Sequence, residues 1–265
     1  YECFTLKLEW RLTMSSGKYG NISGAKDLSD WGRPIARFFA NLLKNTKISV
    51  LMVTNFHLLL SIFCAWLILQ EYILESCILL VIKGVIDAVD GELARIRERP
   101  SHVGRYWDTI ADTLGLILVT YAFGQYLEWS GLYISGIVIA VLFQYSLFNH
   151  FSVRARGINS GDNTSRIDER IRPIAKPWEK QIHVDFLHKI YLICFSWQDR
   201  IIDIMTGEGS EKLYFELTVS SMLGYGFQSI IILFLGLSMN INLLNDLILY
   251  VNGAIMIIVI LKSRF

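Results

Sequence analysis

The residues most able to do chemistry are four aspartates arranged in two pairs. Asp87 and Asp90 are three residues apart, and Asp108 and Asp112 are four apart, so each pair occupies one face of a helix. A short basic turn joins the two helices, which predicts antiparallel neighbours whose acidic faces meet at one end. Four converging carboxylates would repel one another, and a hard divalent cation such as Mg²⁺ or Mn²⁺ would relieve that repulsion. The acids therefore predict a metal site.

The residues between the two acid pairs fit the same chemistry. Gly91 directly follows the second acid, and Gly104 lies four residues before the third, so a ligand or a facing helix could approach closely at both. Arg95 lies one turn beyond Gly91, and its guanidinium is suited to bidentate contact with phosphate. Carboxylates, a metal ion, glycine and arginine together predict a diphosphate site.

The composition predicts that the helices carrying these acids lie in a membrane. Hydrophobic residues make up 53% of the 265 residues and the mean hydropathy is +0.41, which is more apolar than an ordinary soluble domain. The net charge of +1 gives no indication of nucleic-acid binding. We expect an all-α integral membrane fold with six transmembrane helices, near 48–69, 73–94, 105–127, 130–151, 214–236 and 241–261.

The distribution of Lys and Arg predicts the orientation of the bundle. Basic residues precede the first span, from Lys7 to Lys47, and follow the fourth span, from Arg154 to Lys212, whereas the connections near 70–72, 128–129 and 237–240 hold none. Basic residues near span ends stay on the cytoplasmic side. Both termini and the acidic helix ends are therefore expected to be cytoplasmic.

Two segments outside the predicted spans have a helical pattern. In residues 1–47, a cytoplasmic N-terminal segment, Trp31, Ile35, Phe38, Phe39, Leu42 and Leu43 recur at helical spacing opposite basic residues. This pattern predicts an amphipathic helix in the membrane interface, with packing on a soluble domain as the alternative. The predicted membrane domain, 48–265, contains a long cytoplasmic loop, 152–213, with a further helix around Ile182 to Met205. That helix would lie in the interface or cover a site.

The acidic segment resembles the signature of the CDP-alcohol phosphotransferase family, also called the CDP-alcohol phosphatidyltransferase family. The signature is D-x2-D-G-x2-A-R-x8-G-x3-D-x3-D, and every fixed position is met here. The matching residues are Asp87, Asp90, Gly91, Ala94, Arg95, Gly104, Asp108 and Asp112. Thr54 and Asn55 resemble, more weakly, a Thr-Pro-Asn element of many members.

The resemblance implies a role for each of these residues. Asp87, Asp90 and Asp108 would ligate one or two divalent ions, Mg²⁺ or Mn²⁺, and Asp112 would be the general base, with a further contact to metal. The residues implied to bind CDP are Asp87, Gly91, Ala94, Arg95, Gly104 and Asp108. The family joins two alcohols through one phosphate and releases CMP, and the resemblance also implies a homodimer.

Four further basic residues are candidates for binding a phosphorylated acceptor. Lys83 lies four residues before Asp87 in an otherwise apolar helix, where it would either hold that phosphate or pair with a buried acid. The other candidates are Arg105, Arg154 and Arg156, for which cytoplasmic anchoring of the spans is the favoured alternative explanation.

The expected function is transfer of a phosphatidyl group from CDP-diacylglycerol to a small polar alcohol in phospholipid synthesis at the membrane. Within the family, the alternative is transfer of choline or ethanolamine phosphate from its CDP derivative to diacylglycerol. From other classes, the alternatives are an ion or proton transporter and a non-catalytic lipid-binding scaffold. A transporter predicts acids spread across the depth of the bilayer, whereas these acids cluster at one end.

Overall fold

Every regular element in the described part of the chain is helical, which confirms the all-α prediction. The computed structural model describes residues 26–158, 169, 171–207 and 213–264. Residues 1–25 of the predicted N-terminal segment, which include Lys7, lie outside the described residues. So do 159–168, 170 and 208–212 of the predicted 152–213 loop, which include Lys212.

The helices follow the predicted segments closely. In chain order they are α1 Arg33–Leu43, α2 Val50–Leu69, α3 Ile73–Ile96, α4 His102–Tyr126, α5 Gly131–Ile158, α6 Gln181–Thr206, α7 Tyr214–Ser220, α8 Tyr225–Leu237 and α9 Ile241–Arg264. Helix α9 contains one π-helical turn, Leu247–Val251. Each predicted span therefore corresponds to a helix or, for α7 and α8, to a bent pair.

In the described part of the chain, fewer than six helices are long and apolar enough to cross a membrane by themselves. Within the described residues these are α2, α5 and α9, with a fourth if α7 and α8, which are bent by 43°, form one span. Acidic and basic side chains interrupt the apolar sequence of α3 and α4. The described helices thus indicate a multi-pass membrane protein, and the count of six spans stays a prediction.

Helix α2 lies at the centre of the part of the fold that carries the acids. It packs closely against both α3 and α4, whereas α3 and α4 make few close backbone contacts with each other. The two acidic helices, which were predicted to be neighbours with their acidic faces meeting at one end, do bring their acids together, but they do so without close packing of their backbones. Gly115 on α4 lets α2 approach, because a Cβ there would lie 2.6 Å from Ser61 Oγ. Because α2 packs between them, the acidic helices α3 and α4 face each other across a space, and side chains of α2 point into that space.

Helix α1 has its apolar side turned away from the protein. Phe38 is 61% exposed, and Ile35, Phe39 and Leu42 are exposed as well, while Ala36 and Ala40 are buried. The face opposite the exposed one carries Arg33, which pairs with Glu92 of α3. An exposed apolar face above a charged contact is expected of a helix lying in a membrane interface.

Helix α6 occupies the position predicted for the helix of the 152–213 loop and covers the beginning of α4. Tyr191 and Phe195 of α6 cluster with Tyr106 of α4. Its opposite side is apolar and exposed, and is formed by Ile182, Phe186, Ile193, Trp197, Ile201 and Ile204. Like α1, this helix presents an unpartnered apolar face within the described structure, as an interfacial helix would.

Candidate active site

The four predicted acids converge where α3 ends and α4 begins. The start of α4 is fixed by Ser101, whose hydroxyl accepts a hydrogen bond from Gly104 N at 2.9 Å and caps the helix. Glu179, in the segment before α6, accepts hydrogen bonds from Ser101 Oγ and Val103 N, both at 2.8 Å. These bonds set the position of the first turns of α4 and so that of Asp108.

A histidine that the sequence analysis did not single out lies between the acids. His57 of α2 is fully buried, and its Nε2 lies 3.4 Å from Asp87 Oδ1, 3.4 Å from Asp108 Oδ1 and 3.8 Å from Asp90 Oδ2. Its Nδ1 lies 3.8 Å from Asp112 Oδ1. One imidazole therefore faces all four carboxylates.

A pattern in the sequence of α2 could have revealed His57. Thr54, His57 and Ser61 are polar residues at helical spacing on one face of an otherwise apolar helix. The Thr54 hydroxyl donates a hydrogen bond of 2.7 Å to Asp90 Oδ2. Asn55 Oδ1 accepts one of 2.8 Å from Trp107 Nε1. The weak Thr-Asn resemblance thus marks residues that hold the acidic helices in place.

The geometry of this cluster fits a divalent cation. His57, Asp87, Asp90 and Asp108 each offer one ligand atom, and these atoms lie within 4.8 Å of one another. Both ring nitrogens of His57, Asp87 Oδ1 and Asp108 Oδ1 are buried without a hydrogen-bond partner among the described residues. A buried polar atom left unsatisfied costs about 1–3 kcal/mol. Coordination of a metal ion would satisfy His57 Nε2 and these two carboxylate oxygens together.

Asp112 lies beside this group and is paired with Lys83. Lys83 Nζ lies 2.6 Å from Asp112 Oδ1 and 4.0 Å from Asp87 Oδ1, and it sits 4.3 Å from the centroid of the Tyr225 ring. Lys83 is 3% exposed. The structure therefore places the ammonium against the acids, which is the pairing foreseen as one of its two roles, and acceptor binding by Lys83 stays a prediction.

Arg95 and the motif glycines lie at the outer edge of the cluster. A Cβ on Gly91 would lie 3.4 Å from Arg95 Nη2, so the absent side chain leaves room for the guanidinium. Arg95 Nη2 donates to Glu92 Oε1 at 3.0 Å, and the Arg95 side chain is 37% exposed at the end of α3. Ala94 is half-buried on the same turn. Their role in CDP binding stays a prediction.

The other three predicted acceptor-binding residues contact protein groups. Arg105 forms a two-point ion pair with Glu169, with Nη2 2.9 Å from Oε2. Arg154 Nη1 lies 3.3 Å from Gly207 O, and Arg156 Nε donates to Ser152 O at 3.2 Å. Arg105 thereby ties the segment before α6 to α4. Binding of an acceptor phosphate by these residues stays a prediction.

A largely apolar cavity begins at Lys83 and extends along the bundle. It lies between α3, α4, α5, α8 and α9, and the space within it and in its solvent-filled mouth amounts to about 750 Å³. Its polar residues include Gln144, Gln228 and Asn252. Asn252 Nδ2 donates to Gln144 Oε1 at 3.0 Å, and Gln144 Nε2 donates to the carbonyl of Ile248 in the π-helical turn at 2.8 Å. The cavity therefore runs from the Lys83–Asp112 ion pair into the apolar interior of the bundle.

Comparison with known families agrees with this geometry. Among curated proteins, none matches this chain. Residues 49–164 match the family model of CDP-alcohol phosphatidyltransferase. The match runs from the residue that caps α2 to just beyond α5, and so includes His57 and all four motif acids. Residues 49–164, which contain the candidate site, are therefore similar to the enzymes of the CDP-alcohol phosphatidyltransferase family.

Proposed function

We propose that the enzyme transfers a phosphatidyl group from CDP-diacylglycerol to the hydroxyl of a small polar alcohol and releases CMP. The observation that carries the proposal is the convergence of the four motif acids around one buried space that adjoins a largely apolar cavity. The acids fit a diphosphate with its counter-ion, and the cavity fits an acyl chain or another apolar part of a lipid.

The proposed metal site is formed by Asp87, Asp90 and Asp108. The carboxylate oxygens suit Mg²⁺ or Mn²⁺, and a bound ion would neutralise the diphosphate and stabilise the departing CMP. Thr54 orients Asp90 through its 2.7 Å hydrogen bond. We assign the CDP pocket to Arg95 with Gly91, Ala94 and Gly104, which lie around the same ends of α3 and α4.

Asp112 is the proposed general base. The hydroxyl oxygen of the acceptor forms a bond to the phosphorus that carries the donor alcohol, and the bond from that phosphorus to the bridging oxygen breaks. CMP leaves with the electron pair, and the hydroxyl proton passes to the Asp112 carboxylate. The Asp112 side chain is 39% exposed, so a substrate hydroxyl can reach it. Lys83 holds this carboxylate in place by its 2.6 Å contact.

We place the protein in the membrane with six spans, cytoplasmic termini and the acid cluster at the cytoplasmic face. The outward apolar faces of α1 and α6 support an interfacial position for both helices. The basic residues around 26–47 and beyond 152 support the orientation. Soluble CDP derivatives and lipids would meet at this level.

The apolar cavity also supports a second candidate reaction. A diacylglycerol whose tails occupied the cavity would bring its hydroxyl toward Asp112, and CDP-choline or CDP-ethanolamine would then be the donor. In the first reaction the lipid is part of the donor, and in the second reaction the lipid is the acceptor. They share the metal site and the base, so only the substrates distinguish them.

CMP release from purified protein in detergent tests the proposal. The assay offers CDP-diacylglycerol with a panel of polar alcohols, or CDP-choline and CDP-ethanolamine with diacylglycerol, each with Mg²⁺, Mn²⁺ or a chelator. We expect release with CDP-diacylglycerol and one polar alcohol, only when metal is present. Asp203→Asn is the matched control for Asp112→Asn, because the Asp203 carboxylate is 66% exposed on α6 and should be dispensable for CMP release. Silence with every donor from folded protein would refute the proposal.

A further inference from the structure

His57 has the burial and the position of a metal ligand. It is fully buried, and neither ring nitrogen has a hydrogen-bond partner among the described residues. A neutral imidazole normally finds at least one partner when it is buried, because an unsatisfied nitrogen costs about 1–3 kcal/mol. The ring is directed at oxygens that are likewise unpartnered, on Asp87 and Asp108. These atoms need a common partner.

The distances within the cluster suit coordination of one ion. His57 Nε2 lies 3.4 Å from Asp87 Oδ1 and 3.4 Å from Asp108 Oδ1. Ligand atoms bound at about 2.1 Å to one cation lie about 3.0–3.5 Å apart at tetrahedral or octahedral angles. Nitrogen and oxygen are therefore already spaced as two ligands of one ion would be.

The second ring nitrogen faces the remaining acid. His57 Nδ1 lies 3.8 Å from Asp112 Oδ1, which itself contacts Lys83. Histidines that bind metals through one nitrogen usually donate the N–H of the other to a carboxylate or carbonyl, which fixes the tautomer. A small rotation of either side chain would close this contact, so Asp112 would orient the ligand.

We propose that His57 supplies a nitrogen ligand from α2 to the metal site, so that the site is a mixed imidazole and carboxylate site rather than an all-oxygen one. The inference rests on the proposed function only in taking the acid cluster as the metal site. Imidazole favours first-row transition ions over Mg²⁺. The site should therefore prefer Mn²⁺ to Mg²⁺, and this preference should depend on His57.

Pulsed electron paramagnetic resonance of Mn²⁺ bound to the purified protein tests the ligand directly. In the wild type we expect the Mn²⁺ echo signal to be modulated by a directly coordinated imidazole nitrogen. His57→Gln should lose this modulation, because the glutamine amide oxygen can take the place of the nitrogen as the ligand. His57→Leu should weaken Mn²⁺ binding at least about tenfold and narrow the Mn²⁺ to Mg²⁺ affinity ratio. His183→Asn is the matched control, because His183 is exposed on α6 and should leave the nitrogen signal intact.

The outcomes separate this inference from the proposed function. Tight Mn²⁺ binding without nitrogen modulation in the wild type would overturn the role of His57 and leave the carboxylate site in place. An unchanged Mn²⁺ to Mg²⁺ ratio in a folded His57→Leu protein would also overturn it. Absence of any Mn²⁺ binding, together with absence of CMP release, would overturn both the ligand and the reaction.

Discussion

Replacement of Lys83 by methionine should destabilise the protein because Lys83 is a buried cation that compensates the acid cluster. Its Nζ lies 2.6 Å from Asp112 Oδ1 and 4.0 Å from Asp87 Oδ1. Methionine keeps most of the length and the packing against Tyr225, so the main change is the loss of the charge. Asp112 would then lack the partner that offsets its partial burial.

The expected cost follows from these distances. Two unit charges at 4 Å interact by about 4 kcal/mol at an effective dielectric constant of 20. Removal of one partner from a buried ion pair costs about 3–5 kcal/mol. Because the Asp112 side chain is 39% exposed, solvent screens part of this cost, and we expect Lys83→Met to lower the free energy of unfolding by about 2–3 kcal/mol in metal-free protein. Denaturant titration in mixed micelles measures this quantity.

A double-mutant cycle separates the ion pair from general damage to the core. Lys83→Met combined with Asp112→Asn removes both charges, so the double variant should recover at least about 2 kcal/mol relative to the sum of the single variants. Lys189→Met, at an exposed lysine of α6, should change the free energy of unfolding by less than about 0.5 kcal/mol. A loss below about 1 kcal/mol for Lys83→Met, or strict additivity in the cycle, would refute the pairing as a stabilising contact.

Three further perturbations have defined outcomes. Asp112→Asn should reduce CMP release about 10²–10⁴-fold while Mn²⁺ binding persists, since a general base contributes about that much, and a rate within threefold of wild type would exclude it from that role. Gly115→Val should destabilise the protein by about 1–3 kcal/mol in thermal unfolding, because even a Cβ there would lie 2.6 Å from Ser61 Oγ. Gly136→Val meets no described atom within 4 Å of its Cβ and should be close to neutral, and equal effects of the two would contradict the packing argument. Burial, with smaller contributions from nearby carboxylates, raises the pKa of Asp199 to about 6. In the folded protein the Asp199 carboxylate therefore binds a proton more tightly than it does in the unfolded chain. The free energy of unfolding should consequently fall by up to about 3 kcal/mol as the pH rises from about 4 to 6. Asp199→Asn should remove this component from the pH dependence of the unfolding midpoint, and an unchanged pH profile would contradict it.

Local spacing was sufficient to predict the helices and to predict that the acids of each pair share one helix face. Asp87, Asp90, Asp108 and Asp112 share faces because 3.6 residues make one turn, and that relation holds without knowledge of the fold. Long apolar runs likewise predicted α2, α5 and α9 as helices that can span a membrane. The number of spans cannot be obtained from apolar runs alone, because the charged residues of the candidate site interrupt the apolar sequence of α3 and α4.

The contribution of α2 to the site depended on tertiary structure. Hydropathy places α2 in the membrane but does not tell which of its faces meets the acids, and His57 is a single polar residue in an apolar run. Its neighbours are 30 to 55 residues away in the sequence, so their approach depends on how three helices pack. The pairing of Lys83 with Asp112 rather than with Asp87, its neighbour one turn away, has the same origin.

The sequence by itself determined the chemistry that this protein has available: four acids at helical spacing, a guanidinium beside glycines, and apolar helices to carry them. Spacing along a helix is a local property, so it can be read from the order of residues. Tertiary structure decided that α2 places an imidazole among the acids and that Lys83 holds Asp112 beside an apolar cavity. Those contacts join residues distant in the chain, and only the packing of complete helices determines which of them meet.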